Sequence, residues 1–238
     1  MTTNFIYTPD DRMVSLIADN YSLIQVMSRF GIKVGFGDKT VEEVCRENEV
    51  DCTTFLAVVN FVSHSIPLSD IDTEVISIPS ILQYLRQSHI YFLEYSLPEI
   101  RRKLIEGIRF RTTDISFLIL KFFDEYMHEV RTHMEYEEKH VFEYVRHLLE
   151  GRVNPDFKIS TYSDHHEEVA SKLKELKTLI IRYCPEGADA NLLNTALYEI
   201  YRCEEELQNH CQVEDLLFVP AIEHLEKQLE MPGEGQAG

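Results

Sequence analysis

The sequence contains no tryptophan, and its 238 residues include only 9 glycines and 8 prolines. So few turn-formers argue against a many-stranded sheet joined by tight turns and favour long helices. Basic residues are also short: 23 Lys and Arg stand against 41 Asp and Glu, a formal charge of -18. A chain of that sign is a poor partner for nucleic-acid phosphates or an anionic membrane surface. No long hydrophobic run occurs; the longest, around Ile115–Leu120 and Phe122–Phe123, is far too short to cross a bilayer. The five cysteines form no CxxC pair and are odd in number. The start MTTNFIYTPDD has no basic region followed by an apolar run. Together these features lead to an expectation of free thiols in the reducing cytoplasm. What the chain does have is 12 Tyr and 13 Phe, enough large side chains to fill a core.

The pattern along the chain is helical throughout and predicts an all-α fold. Met13, Leu16, Ile17, Leu23, Ile24 and Met27 recur at helical spacing until GIKVGFGDKT interrupts them. Thr40 with Glu43 forms the signature of a capping box for a second short helix, and a third is expected over Cys52–Val62. Residues 1–63 thus read as a small three-helix domain. Residues 64–78, with Pro67 and several Ser and Asp, read as a linker. Four long helices are expected next, near 79–105, 114–149, 160–183 and 191–229. Their short links fit an up-down four-helix bundle over 79–230. Residues 231–238 read as a disordered tail.

Two stretches of this bundle resemble each other. The second long helix carries His133-Met-Glu-Tyr-Glu137-Glu138, and the fourth carries His210-Cys-Gln-Val-Glu214-Asp215. In each, a histidine and a glutamate four residues apart share a helix face, and bulky apolar residues follow. One such pair is weak evidence, because surface helices often carry it. Two pairs in facing helices of one bundle are much less probable by accident. The first long helix adds His89, and the third adds His165-His166. His166 is favoured over His165 because it shares a stripe with Val169, Leu173, Leu176 and Ile180.

Depths along the bundle agree with a common layer. His89 and His166 lie roughly 10 and 6 residues past their helix starts. Glu137 and Glu214 lie roughly 12 and 15 before their ends. At about 1.5 Å per residue these depths match to within about 14 Å. The predicted ligand set is therefore His89, His133, Glu137, His166, His210 and Glu214. Four imidazoles and two bridging carboxylates suit two non-haem iron ions joined by an oxo or hydroxo bridge. A closed structural zinc site needs only four ligands, and manganese ranks second to iron. Glu138, Asp215, Glu94 or Glu167 would hold imidazole N–H groups and offset remaining charge. His128, His140 and His147 read as rim or partly buried histidines. His64 and His224 receive no role.

These residues carry a resemblance. SHIYFLEYSLPEI, HMEYEEKHVF, HHEEVASKLKEL and HCQVEDLLFVPAI resemble the segments of a hemerythrin-like domain. The version resembled is that of the di-iron proteins for repair of iron centres, the regulators of cell morphogenesis and NO signalling. ADNYSLIQVMSRFGI and DKTVEEVCRENEVD resemble that family's small N-terminal domain. One departure stands out. The family usually has two adjacent cysteines after this turn, whereas the tract here is Lys33-Val34-Gly35-Phe36-Gly37-Asp38. The resemblance implies repair of iron–sulfur clusters after nitrosative or oxidative damage. Nitric oxide or dioxygen species would react at the bundle iron, or iron would be released for rebuilding. It also makes damaged iron–sulfur proteins and a second copy of the chain plausible partners. Two other functions stay open, a non-catalytic sensor or carrier of dioxygen, nitric oxide or iron, and a metal-free helical interaction protein. Whether the chain is an enzyme is left open by the sequence.

Overall fold

The computed structural model describes residues 6–63, 71–108, 114–154, 157–161, 166–183, 185 and 187–230, with the side chains of 161–172 outside it. The expected tail, residues 64–70 of the expected linker, the Thr112-Thr113 turn, His64, His165 and Cys184 lie outside the described residues. The architecture is all-α, a smaller helical region followed by four long helical runs. The only β feature among the described residues is an isolated bridge between Arg12 and Thr40. No described helix is long and apolar enough to cross a membrane.

The small region holds α1 (Met13–Asp19), α2 (Leu23–Arg29), α3 (Val41–Glu47) and α4 (Cys52–Val62). The first of the three expected helices is thus divided into two. The break follows from Asn20, whose backbone is extended and whose side chain accepts from the Ser22 N–H (3.1 Å) and hydroxyl (2.6 Å). Short polar side chains of this kind offer the backbone an alternative to the helical ladder. The capping box forms as expected: Thr40 accepts from the Glu43 N–H at 3.2 Å, and the Glu43 carboxylate accepts from the Thr40 N–H at 2.9 Å. Asp51 caps α4 through the Thr54 N–H at 2.8 Å. α2 stops at Gly31, at φ 80°, where Gly31 and Ile32 N–H groups bond back to Ser28 and Met27. That reversal needs a left-handed residue, which glycine supplies without a side-chain clash.

The first long run comprises α5 (Ile78–Ile90), a π-helical stretch (Tyr91–Ser96) and α6 (Leu97–Ile108). The second comprises α7 (Asp114–Tyr136), a π-helical turn (Glu137–Val141) and α8 (Phe142–Leu149). The third is α9 (His166–Arg182). The fourth comprises α10 (Ala190–Val213), a π-helical turn (Glu214–Phe218) and α11 (Val219–Glu230).

The chain divides into two compact units whose limits fall inside these runs. One contains Met1–Ser88, Phe142–Thr161 and Gln212–Gly238. Its core includes Met13, Leu16, Phe30, Phe55 and Tyr84, with Phe142 and Phe218 edge to face at 6.0 Å. The other contains His89–Val141 and Tyr162–Cys211. Its core is a set of stripes at three- and four-residue spacing: Ile119, Phe123, Tyr126, Val130 and Met134 on α7, and Leu193, Ala196, Ile200, Cys203 and Leu207 on α10. Each large side chain buried this way stabilises the fold by about 1.5–3 kcal/mol.

Glu226 is a buried polar tie in the first unit. Its Oε1 accepts from the Tyr144 hydroxyl at 2.6 Å and from the Ile159 N–H at 3.0 Å. Burial, then this bond, pushes the Tyr144 phenol up from its ordinary pKa. Glu226→Ala would strand both donors and is expected to cost about 2–4 kcal/mol in a urea titration, whereas Glu226→Gln, which keeps an oxygen acceptor, costs less.

Candidate metal centre

The apolar stripes of α7 and α10 continue without change of phase into charged residues. Val130 and Met134 lead to Glu137, and Cys203 and Leu207 lead to His210 and Glu214. The side chains of Glu137 and Glu214 are 0% exposed, that of His210 is 1% and that of His89 is 3%. Carboxylates removed from water to this degree require compensating positive charge, since an isolated buried ion is strongly unfavourable.

These residues meet. His89, Glu137, His210 and Glu214 each offer one ligand atom, and the four atoms all lie within 4.8 Å of one another. The His89 and His210 rings are edge to face at 5.2 Å, and Phe92 lies against His210 at 5.9 Å. Glu137 is engaged on both oxygens. Its Oε1 is 2.9 Å from His133 Nε2, and its Oε2 is 3.1 Å from His89 Nε2. His133 comes from one turn back on the same helix, His89 from a different run. On the outer side, His89 Nδ1 is 3.2 Å from Glu138 Oε1.

The donor set fits metal ions. Two ligands at right angles on an ion with bonds of about 2.1 Å stand about 3.0 Å apart. The two imidazole–carboxylate separations at Glu137 match that edge, and each uses a different carboxylate oxygen. Mixed imidazole and carboxylate donors suit iron, manganese or zinc.

Among the described residues, three π-helical segments start at or near these side chains in the sequence. Two begin on Glu137 and Glu214, and the third begins two residues after His89. Such turns carry one extra residue and are frequent at functional sites. They let Glu137 and Glu214 face inward while Val141-Phe142 and Leu217-Phe218, just beyond, are buried too.

This architecture and chemistry have a family counterpart. Residues 80–222, more than half of the chain, match the Hemerythrin HHE cation binding domain. The chain belongs to this family. Among curated proteins, none matches the chain. Membership gives the cluster a cation-binding context.

The other sequence-predicted residues of this hemerythrin-family chain are placed as follows. His166 is the first residue of α9, and its side chain lies outside the described residues, as does that of Glu167. His128 and His140 are exposed, with the His140 ring against Tyr136 at 4.7 Å. His147 is half-buried beside Arg146. His224 contacts Gln228 and Glu74. Of the four acids considered as imidazole partners, Glu138 takes that position at His89; Glu94 is exposed and Asp215 half-buried. Sequence reasoning missed Phe92, whose only signal is an apolar residue one turn after His89. It also missed the π-helical turns, which nothing in the spacing announces.

Binding of ions to these groups stabilises the folded state alone. With free metal at about a hundredfold over its dissociation constant the gain is about 2.7 kcal/mol, or about 5–10 °C in a thermal melt. Glu137→Ala is expected to abolish that metal-dependent rise, and Glu135→Ala, at an exposed position on the same helix, to keep it.

Proposed function

We propose that this chain is a non-haem di-iron protein that protects or repairs iron–sulfur clusters damaged by nitrosative or oxidative stress. The observation that carries the di-metal reading is Glu137, whose two oxygens each face a different imidazole at the spacing of adjacent ligands on one ion. A carboxylate placed so would hold two ions together, each with its own histidine. By the internal likeness of the two HxxxE segments, Glu214 would hold the ions as Glu137 does and His210 would supply a further nitrogen donor. His166 completes the imidazoles, in preference to His165.

Each side chain then has a defined task. Glu137 and Glu214 supply negative charge where two cations sit together. His89, His133 and His210 supply neutral nitrogen donors. Phe92 walls the His210 imidazole with hydrocarbon, and the apolar residues beyond both glutamates help keep bulk water out. A bound iron pair would supply redox change and an open position for a diatomic ligand such as nitric oxide or dioxygen. Two fully buried glutamates argue against a metal-free interaction protein.

The repair role rests on the likeness of both the bundle and the N-terminal segment to the proteins that repair iron centres. On that reading the partners are damaged iron–sulfur proteins, the setting is the cytoplasm, and a homodimer is compatible with the small N-terminal region. A second reading, a reversible carrier or sensor of dioxygen, nitric oxide or iron, is favoured by one observation. The largely exposed Lys33–Asp38 tract carries no cysteine, and burial pushes the Cys45 and Cys52 thiols above their ordinary pKa, away from thiolate reactivity.

Metal analysis of protein from iron-replete cells is expected to give about two irons per chain, with near-ultraviolet absorption of a bridged diferric pair. Purified protein should restore activity to an enzyme whose cluster nitric oxide has damaged, and His210→Ala should not. Iron binding with no recovery of the target would leave the carrier reading; absence of iron would end both.

A further inference from the structure

We propose that Glu138 is the positioning residue of the centre, holding His89 by its outer nitrogen so that its inner nitrogen faces the metal. The inference rests on the di-metal reading and assigns a task to an acid that reading leaves unused.

Two consecutive glutamates grip opposite edges of one ring. Glu137 Oε2 lies 3.1 Å from His89 Nε2, and Glu138 Oε1 lies 3.2 Å from His89 Nδ1. Neighbouring residues of a regular α-helix point about 100° apart and do not ordinarily meet one object. Here both belong to the π-helical turn Glu137–Val141, and an imidazole from another run reaches between them. The two carboxylates differ in setting. The Glu137 side chain is 0% exposed, and that of Glu138 is 37% exposed. The inner acid is therefore placed as a ligand, and the outer one stands at the edge of the site.

The consequence for His89 is chemical. A neutral imidazole that gives its Nε2 lone pair to a metal must carry its proton on Nδ1. That N–H needs an acceptor, because the ring is 3% exposed and has little access to water. The Glu138 carboxylate supplies it. The bond fixes rotation of the ring, selects Nε2 as the donor atom and makes that nitrogen a stronger ligand. On this reading Glu138 acts through His89.

The test uses the full chain, with zinc alone as a diamagnetic probe and iron(II) alone for affinity. In ¹⁵N-labelled zinc-loaded protein, the Nδ1–H of His89, assigned by its loss in His89→Gln, should be protected from exchange with solvent. Glu138→Ala should remove that protection and weaken iron(II) about 10–100-fold in competition with a chelator. Glu138→Gln, which keeps an oxygen acceptor, should recover part of both, and Glu135→Ala should change neither. Circular dichroism of the Glu138 variants should match the parent, since the side chain is partly exposed. Affinity and exchange unchanged in Glu138→Ala, while the parent still binds two ions, would overturn this inference alone. A parent chain that binds no ion would overturn it together with the di-metal reading.

Discussion

Two glutamates with no exposed surface, brought together in a helical core, form the constraint on which the rest of this structure depends. Negative charge in a medium of low polarity is tolerable only where positive charge or strong hydrogen-bond donors meet it. Glu137 and Glu214 therefore require neighbours of a particular kind, and imidazoles and cations answer that requirement. The long helices make the arrangement possible. Their apolar stripes exclude water along most of their length, and the stripes of α7 and α10 run directly into Glu137 and Glu214.

Much of this was legible in the sequence, because helical periodicity is a local property. Stripe spacing set the limits of the first, second and fourth long helices to within a few residues, whereas the third begins at His166, later than the expected 160, and the Thr40–Glu43 capping box is visible as two residue types at a fixed interval. The pairing of His133 with Glu137 and of His210 with Glu214 also follows from spacing alone. Harder to read was anything decided by competition or by tertiary contact. Asn20 divides the first helix because its side chain captures Ser22, yet Asn within an apolar period carries no unambiguous signal. Glu138 could be chosen from four acids only once the reach from one helix to another was known.

The centre also separates what the family determines from what this chain adds. Membership in the hemerythrin HHE cation-binding family speaks for cations in a helical bundle. What this chain adds is the setting of Glu137, whose two carboxylate oxygens each lie beside a different imidazole. The N-terminal region stands apart from that argument. Its thiols are buried or partly buried, and the turn over Lys33–Asp38 is largely exposed and without cysteine.

The π-helical segments have an implication for how such a chain tolerates alteration. Each holds one residue more than an α-helical turn of the same rise. Losing one residue between Glu137 and Val141 would convert the turn to ordinary helix. Because the turn already fits one residue more into the same rise, the helix beyond it would keep its phase, with Phe142, Val145 and Leu148 still buried, and the side chains of the turn itself would be re-aimed. The same holds after Glu214. A change in length within such a turn therefore falls on the direction of the side chains it carries and leaves the packing of the flanking helix in register.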